Sequence, residues 1–499
     1  MRLFGFEFRR AAPPKKQQRA FDAARVNRLT SSWLGTAHTI DMELRGDLDR
    51  LRARSRDQAN NNDYIRRFLR MVERNVAGPS GFTLQSRAVD YVNGKAIPAT
   101  LDNAAIERAF YRWSRKGVCE VTGRMSFADV QRNLVKAVAR DGEALVRKVM
   151  GADAGNPFGI ALQVLDVSRL ATMVNRAPAN GQTAIIMGVE INDFQRPIAY
   201  HLYEHPPGSM MGQGKTIRIP SEDVFHLYLP EHAEQTRGIP WAHTAMLRLH
   251  NLKGYEEAAV IASRVGAAKM GFFTTPDGSA AGLASDQDSA GEFITDAEAG
   301  TFEVLPDGYK FESFNPDYPQ QQYGDFVKSC LRGIASGMDI SYNSLANDLE
   351  GVNYSSLRSG ALEERDQWMT LQNWFAESFL TPLFEDWLRM ALLNQQITIG
   401  TNALPLSRFD KFSEHLWQGR RWAWVDPMKD IEAARLAVQS GVQSPQQIAA
   451  QMGMDIEDVL DSIAAFEAMT KAKGVSVVSY AQGGTTQPPA PQATDAATM

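Results

Sequence analysis

Cysteine is scarce in this 499-residue chain, and positive charge is in no excess. The two cysteines, Cys119 and Cys330, form no CxxC pair, which excludes a disulfide framework and a thiolate metal site. The formal net charge of −5 argues against a protein whose main task is to grip phosphates, because such domains usually carry a basic excess. An apolar run of about 18 residues is missing, as is the apolar core of a signal peptide. We therefore expect a protein made in a reducing cytoplasm, with no membrane partner.

Signatures of catalysis are missing or incomplete. Residues 211–216, MGQGKT, resemble part of a phosphate-binding loop, but the first required glycine would stand at Ser209. Residues 217–220 favour a strand and a turn, whereas a phosphate site needs a helix amino terminus there. His201 and His205 lie in a β-type context and share no helical face, so they do not form a convincing metal pair. We expect no catalytic residues, no metal and no cofactor, and predict that the protein is not an enzyme.

The composition indicates a chain with a well-formed core. Apolar residues make up 44% and charged residues 22%, which is normal for a soluble protein with a core, and a length of 499 residues predicts two to four domains. Helical patterns dominate, and short β-type runs separated by Gly, Pro and Asn occur in one section. These runs are residues 143–149, 160–165, 184–191, 198–203 and 224–228. The sequence predicts an α+β fold that is mainly helical, with its strands together.

Several helix boundaries carry capping signals. Asn62 is predicted to cap one helix, and Ser126 opens a capping box for another. Near the carboxyl end, Asp426 precedes a helix and Ser444 opens a second capping box. A long helix with a row of small residues is predicted over residues 240–269, starting at a proline. The small residues would allow a neighbouring helix to approach closely.

Residues 325–393 contain three helical patterns with a polar loop between the first two. Asp325 is placed to cap the first helix, and Gly337 to end it. The loop at residues 341–354 is rich in asparagine, aspartate, serine and glycine, which suit irregular turns. The helix that follows has one apolar and one charged face. A third pattern contains a proline that either starts the helix or kinks it.

The literal residues of this segment resemble those of a known family. The string DLEGVNYSSLRSGALEERDQW, from Asp348, is similar to the tunnel-loop and tunnel-helix region of the lambda-type phage portal proteins. Three further strings follow the family in the same order: RARSRDQANNNDYIRRFLRMVERNVAGPSGF from Arg52, QTRGIPW from Gln235, and GRRWAWVDPMKDIEAARLAVQSGVQSPQQIAAQMG from Gly419. Portals are rings at one vertex of a viral head, through which DNA is pumped in and later leaves.

The resemblance implies a portal fold with an α/β wing, a helical stem, an acidic clip, a tunnel loop and a helical crown. The implied boundaries are a basic amino-terminal arm at 1–40, the wing at 41–239, the first stem helix at 240–270, the clip at 271–317, the second stem helix at 318–340, the tunnel loop at 341–356, the tunnel helix and return to the wing at 357–398, the wing end and crown helices at 399–473, and a disordered tail at 474–499. One departure is that Met338, Asp339 and Ile340 replace the Gly-Val-Pro found after the second stem helix in the broader superfamily.

The resemblance also implies two sets of site residues. The expected channel-lining residues of the tunnel loop are Asn343, Ser344, Asn347, Asp348 and Asn353. The expected partner-docking residues of the clip are Asp286, Asp288, Glu292, Asp296 and Glu298. The clip residues stand in an acid-rich stretch whose one basic residue is Lys310.

The implied function is that of a phage portal protein. It would form a homo-oligomeric ring, dodecameric in the virion, that serves as the channel for DNA packaging and ejection. The implied partners are further copies of the chain, the terminase large subunit, head-completion and tail proteins, major capsid and scaffold proteins, and double-stranded DNA that passes through while weakly bound. The implied location is the portal vertex of the virion, after assembly in the host cytoplasm.

A helix-turn-helix nucleic-acid-binding protein is the alternative hypothesis, and a P-loop enzyme comes third. Residues 444–463 have the pattern of a helix, a glycine turn and a second helix. The second helix carries Asp455, Glu457, Asp458 and Asp461, whose charge would repel phosphates. The sequence therefore favours a helical pair used for packing.

Overall fold

A computed structural model describes residues 37–179, 183–212, 214–267, 271–274, 310–313, 323–422, 427–452 and 454–474, with a few positions before residue 37. Several expectations lie outside the described residues: most of the basic arm, the helix start at Asp426 and the tail from residue 475. The clip residues Asp286, Asp288, Glu292, Asp296 and Glu298 lie outside them as well.

The described chain is mainly helical, and most of its short strands lie in the first half. The helices are α1 Ile40–Asn61, α2 Asp63–Val72, α3 Thr100–Trp113, α4 Phe127–Asp141, α5 Met246–Ala267, α6 Tyr323–Gly337, α7 Tyr342–Ala346, α8 Tyr354–Phe375, α9 Thr381–Leu393, α10 Phe409–Phe412, α11 Pro427–Gln439, α12 Pro445–Gln451 and α13 Ile456–Ala472. One π-helical turn, Glu73–Ala77, extends α2, and another, Ala376–Leu380, joins α8 to α9. The proline of the third pattern therefore stands in the first turn of α9.

Three predicted helix starts are confirmed. The Asn62 carboxamide oxygen accepts hydrogen bonds from the backbone N–H groups of Tyr64 and Ile65, at 3.0 and 3.2 Å. Ser126 and Ser444 each form a reciprocal capping box at the start of α4 and α12. These short polar side chains satisfy backbone donors that the first helical turn leaves unpaired, which is why their spacing identifies the boundary.

The strands form two small antiparallel sheets and several two-stranded pairs. They are β1 Arg2–Leu3, β2 Phe6–Glu7, β3 Thr83–Ser86, β4 Val89–Val92, β5 Lys95–Pro98, β6 Glu143–Met150, β7 Ile160–Leu165, β8 Ala184–Ile186, β9 Val189–Ile191, β10 Pro197–Tyr203, β11 Thr216–Pro220, β12 Val224–Tyr228, β13 Gly271–Thr274, β14 Lys310–Ser313, β15 Thr398–Ile399, β16 Asn402–Ala403 and β17 His415–Gln418. The larger sheets have the orders β11-β10-β9-β8 and β12-β6-β7. The pairs are β1-β2, β3-β17, β4-β5, β13-β14 and β15-β16.

The single strand predicted over residues 184–191 is wrong, because the chain turns back within it. Met187 and Gly188 both have positive φ, 46° and 86°, so β8 and β9 form a tight hairpin. A Cβ atom at position 188 would lie 2.9 Å from the Ala171 carbonyl oxygen, which leaves room only for glycine. Because the residues on both sides of the turn are mostly apolar, the hydrophobic pattern does not show where the chain turns.

The region of the incomplete phosphate-binding motif is confirmed as turn followed by strand. Lys215 directly precedes β11, which pairs along its length with β10. Glycines 208, 212 and 214 all have positive φ and belong to irregular turns. No helix amino terminus follows the lysine, so the backbone cradle of a P-loop does not form here.

Helices α3, α4, α8 and α9 bury a continuous apolar core in the region expected to form the wing, which keeps that name below. Its centre is aromatic: the Phe110 ring lies 4.9 Å from that of Trp387 and 5.6 Å from that of Phe127, both edge to face. Trp113 and Phe384 complete the contact with fully buried rings. Edge-to-face aromatic pairs add to the burial of apolar surface, so this cluster forms a rigid base for the elements that project from it.

The first stem helix begins at Met246, six residues later than the predicted start at Pro240. The residues between form successive turns held by tertiary contacts. The Trp241 N–H donates to the Ala139 carbonyl at 3.1 Å, and the Thr244 hydroxyl donates to the Gly337 carbonyl at 2.8 Å. These tertiary contacts with α4 and α6 override the local preference of the segment for helix.

Helices α5 and α6, the two helices expected to form the stem, pack antiparallel. Near the wing, Thr244 meets the last residue of α6, and farther along the Tyr255 ring stacks on that of Tyr323 at 5.7 Å. Met338, Asp339 and Ile340, which differ from the Gly-Val-Pro of the broader superfamily, end helix α6. Asp339 has φ of 55°, and the Ile340 N–H donates to the Ala335 carbonyl at 3.1 Å, which closes a Schellman turn. Aspartate tolerates this left-handed conformation better than most residues.

The helix-turn-helix alternative corresponds to α12 and α13, but Asp455, which precedes α13, makes contacts within the subunit. The Asp455 carboxylate accepts from the Glu457 N–H as the cap of α13 and pairs with Arg87 of the wing at 3.0 Å. This pair attaches the second helix to the wing through the end that a recognition helix would present to DNA. Packing is the role that these contacts support.

The described residues also show where the two histidines considered as metal ligands lie and whether any helix could span a membrane. His201 lies on β10 with its Nε2 atom 3.1 Å from the Glu190 carboxylate, and His205 stands beyond the end of that strand. Groups of three or more potential metal ligands are not found among the residues described. Within the same residues, every helix is too short or too polar to cross a bilayer.

Candidate channel loop and its anchors

The segment predicted as one tunnel loop has an anchored first half. Ser341 caps the short helix α7, whose Leu345 side chain is buried. The hydroxyl groups of Ser341 and Ser344 both donate to one carboxylate oxygen of Glu364, at 2.9 and 2.8 Å. The Trp368 indole N–H donates to the other oxygen at 3.3 Å. Because Glu364 and Trp368 belong to α8, these bonds fix α7 on that helix.

A second anchor comes from the wing. The Arg67 Nε atom donates to the Ser344 carbonyl at 2.6 Å, and its Nη2 atom donates to the Asn347 side-chain oxygen at 3.2 Å. Asn347 itself has φ of 56°, a left-handed conformation that asparagine adopts more readily than most residues. It therefore ends α7 and redirects the chain toward solvent. A cleft of about 350 Å³ lies behind the loop, with Arg67 and Glu364 in its lining.

The remaining part of the loop, residues 348–353, is an exposed tip. Leu349 is 59% exposed and the Glu350 side chain 85% exposed. Lys328 of α6 lies 3.6 Å from the Asp348 carboxylate and 3.5 Å from that of Glu350. The Tyr342 hydroxyl donates to Asp348 at 2.8 Å. The tip is thus tied to the stem by a few polar contacts at the surface.

The charges at the tip stabilise one another. The Glu350 backbone N–H, then the Tyr342 hydroxyl, lower the pKa of the Asp348 carboxyl. The carboxylates of Asp348 and Glu350 raise the pKa of Lys328. These groups face solvent, so ions screen their attraction and the tether is weak.

The predicted channel residues fall into three structural classes. Asn343 and Ser344 lie on α7 beside the cleft, and Ser344 is engaged with Glu364. Asn347 is the hinge between the anchored half and the tip, and Asp348 follows it as the first residue of the tip. Asn353 caps α8, its side-chain oxygen accepting from the Ser356 N–H at 2.8 Å.

Sequence reasoning missed the residues that hold the loop in place. Arg67 stands 277 positions from Ser344, whereas Lys328 and Glu364 stand 20 positions from Asp348 and Ser344, respectively. Side chains on helix surfaces carry no sequence signal for a partner so far away. The family string beginning at Asp348 does contain Glu364, but without a role for it.

A buried charge cluster lies where the stem leaves the wing. Glu143 and Arg237 are fully buried, and the Arg237 Nε atom lies 3.0 Å from both carboxylate oxygens. Arg52 of α1 donates to the same carboxylate at 2.6 Å, and the His226 Nε2 atom lies 2.6 Å from it. The cluster therefore joins α1, β6, β12 and the segment that leads into α5.

Electrostatics within the cluster favour the ionised carboxylate. Burial by itself would raise the pKa of Glu143, but Arg237, together with His226 and Arg52, holds that pKa well below its usual range. The Arg237 guanidinium also donates to the Met187 carbonyl. Every polar group of the pair thus has a partner, as a buried charge requires.

Two glycines let the backbones cross beside this cluster. A Cβ atom at Gly142, whose φ is 88°, would lie 2.5 Å from the carbonyl carbon of Ile239. A Cβ atom at Gly238 would collide with the Gly142 carbonyl. The string QTRGIPW, noted from sequence alone, therefore combines a buried arginine with a glycine that permits its approach.

Comparison with known proteins relates this architecture to one family. The chain matches the family model described as phage portal protein, lambda family, over residues 26–372. It is similar to the probable portal protein of Halomonas phage phiHAP-1, at 34% identity over 467 residues, covering 91% of this chain and 88% of that protein. Portal protein B of Escherichia phage lambda is 22% identical over 462 residues, covering 86% of this chain and 85% of that protein. A chain in the virion of a native gene transfer agent particle aligns at a TM-score of 0.42 and 12% identity, over 82% of this chain and 93% of that chain. The match of the family model over most of the sequence, with the relative at 34% identity, shows that this chain belongs to the lambda family of phage portal proteins.

Proposed function

We propose that identical copies of this chain form a closed ring, dodecameric in the virion, at one vertex of the capsid. Family membership supports this, and so does the exposed surface of α5. Val260 and Ile261 are each 58% exposed on the half of the stem helix that extends beyond the aromatic contact with α6. A single subunit leaves this apolar surface in water, whereas neighbouring stem helices in a ring would cover it.

The observation that carries the channel assignment is the division of the loop into an anchored half and an exposed tip. We infer that residues 348–353 line the bore of the ring, with Asn347 at the hinge. The tip is polar apart from Leu349 and Val352, and it is tied to the stem only through surface contacts. Such a loop can move without loss of the fold, which suits a conduit for packaging and ejecting DNA.

We also propose docking surfaces on the outside of the ring. The acid-rich clip, with Asp286, Asp288, Glu292, Asp296 and Glu298, would meet the terminase large subunit during packaging and head-completion and tail proteins afterwards. The wing would face the major capsid and scaffold proteins. The ATP hydrolysis of packaging would belong to the terminase, so this protein would act as a structural component of the virion after assembly in the host cytoplasm.

The ring is tested by mass measurement and negative-stain imaging of the purified protein. We expect ring-shaped particles with a central hole. A uniform monomer over a wide range of salt and protein concentration would refute the assignment. A double substitution, Val260→Ser with Ile261→Ser, should shift the population from rings toward single subunits while leaving the wing folded.

A further inference from the structure

A cleft of about 680 Å³ lies on the wing between α3 and the β15-β16 turn, apart from the channel loop. Its floor is made of small residues, Ala105 and Ala109 of α3 and Gly400 of the turn. Both alanines are buried, so the floor belongs to the rigid wing core. The small side chains create the depth of the cleft.

The rim of this cleft is strongly basic. Arg108 and Arg112 lie on α3, Arg115 lies two residues after its last residue, and all three side chains are exposed. Their contacts are not ion pairs: Arg108 donates to the Ala104 carbonyl of its own helix, Arg112 to the Gln396 carbonyl, and Arg115 lies over the Tyr111 ring. Within the described part of the chain, these three guanidinium groups are not neutralised by a carboxylate within 4.0 Å.

The one acid in the lining is engaged elsewhere. Glu107 accepts a hydrogen bond from the Ser86 N–H at 2.8 Å, which draws its carboxylate toward β3. The side of the cleft opposite α3 contributes Thr398, which carries no charge. The cleft therefore has a positive rim and an apolar floor, and the lining residues opposite α3 include no carboxylate.

The spacing of the arginines suits an extended chain. Arg108 and Arg112 are separated by a rise of about 6 Å along the helix. In an extended peptide, side chains two residues apart point to the same face at a spacing of about 6.8 Å. Alternate acidic residues would thus place successive carboxylates opposite successive guanidinium groups, a geometry that allows two parallel hydrogen bonds per pair.

We propose that this groove binds an extended acidic segment of a partner protein, with acidic residues at alternate positions. The small intervening side chains of the peptide would lie over Ala105 and Ala109. Double-stranded DNA fits less well, because a duplex is too wide to enter the cleft and would meet only the rim. The surface is thus assigned to a protein partner, and it is independent of the channel function proposed above.

The proposal is tested by fluorescence anisotropy on the assembled full-length protein. The probe is a labelled peptide of alternating Glu and Ser, compared with one of alternating Gln and Ser and with a short DNA duplex. The groove variant is Arg108→Gln with Arg115→Gln, chosen because neither side chain bonds to another element of the fold. The matched control is Arg45→Gln with Arg54→Gln, which removes the same charge from exposed positions on α1.

We expect saturable binding of the Glu peptide, weakened about tenfold or more in the groove variant and unchanged in the control variant. The Gln peptide should not bind. Equal weakening in both variants would mean attraction to overall charge and would overturn the proposal. Displacement of the Glu peptide by the duplex at equal charge would show a phosphate-binding surface instead. Failure of the wild-type ring to bind the Glu peptide would equally refute it.

Discussion

Replacing Arg237 by methionine removes the central cation of the buried cluster while keeping a long side chain in its place. The Glu143 carboxylate would lose its shared contact with the Arg237 Nε atom and would retain Arg52 and His226 at 2.6 Å each. The Met187 carbonyl would lose its donor. The substitution thus leaves the buried Glu143 carboxylate with fewer positive partners and removes the hydrogen bond from the Arg237 guanidinium to the buried Met187 carbonyl.

The expected cost can be worked from these contacts. Removing one partner of a buried ion pair costs about 3–5 kcal/mol. The remaining cations reduce that figure, and the unpaired carbonyl adds about 1–3 kcal/mol. We expect Arg237→Met to lower the free energy of unfolding by about 3–5 kcal/mol. The loss should be concentrated where the stem joins the wing, because Arg237 stands in the segment that leads into α5.

Urea denaturation followed by far-UV circular dichroism measures the total loss, and hydrogen exchange over residues 235–246 measures the local one. The matched control is Arg218→Met, which also breaks an arginine-glutamate pair, at 2.7 Å, but with the arginine side chain 51% exposed. That pair should be worth about 0–1 kcal/mol. Similar losses in the two variants, or unchanged exchange at the junction, would refute the argument that burial sets the cost.

The pH dependence has a definite sign. The folded pKa of Glu143 lies well below 4.5, its usual value. A carboxyl whose pKa is lowered on folding contributes stability above its unfolded pKa and loses that contribution as pH falls toward the folded value. Arg237→Met should raise the folded pKa, so the difference in stability between wild type and variant should be largest above about pH 4.5 and should shrink below it.

Three further outcomes are expected. Replacing Asp348–Val352 by two glycines should leave ring assembly intact but impair retention of packaged DNA, whereas Leu345→Ala, in the anchored half, should cost about 2–5 kcal/mol in unfolding free energy. Loss of solubility and helical content in the glycine variant would show that the tip is structural. Lys215→Ala should leave function unchanged, with no ATP hydrolysis by the isolated protein before or after; turnover that depends on this lysine would contradict the strand assignment. A ring lacking residues 1–28 should bind a short duplex weakly at physiological salt, and nanomolar affinity in an anisotropy salt series would contradict a channel that does not grip DNA.

The parts of the fold that could be predicted are those fixed by local chemistry. The Asn62 cap and the capping boxes at Ser126 and Ser444 depend on side chains two or three residues from the groups they bind. Such signals survive folding because no distant partner is needed to satisfy them.

The errors arise where distant contacts decide. The helix expected from Pro240 begins at Met246, because α4 and α6 supply partners for the turns between. The second stem helix begins at Tyr323, so Asp325 lies within its first turn and does not cap it. For the candidate site, the sequence located the polar loop but not its division at Asn347, since that division depends on Arg67 and Glu364.

The two electrostatic groups of the subunit should therefore respond differently to salt. At the tip, Lys328 and Asp348 face solvent at 3.6 Å, so ions at moderate concentration screen their attraction. At the junction, Glu143 and Arg237 are fully buried, and mobile ions cannot approach them. Rising salt should accordingly free the tip from α6 while the stem stays fixed on the wing. Hydrogen exchange at 50 mM and 500 mM salt tests this. We expect faster exchange at residues 348–353 and constant exchange at residues 235–246, and equal acceleration of both would show that the tip and the junction move as one unit.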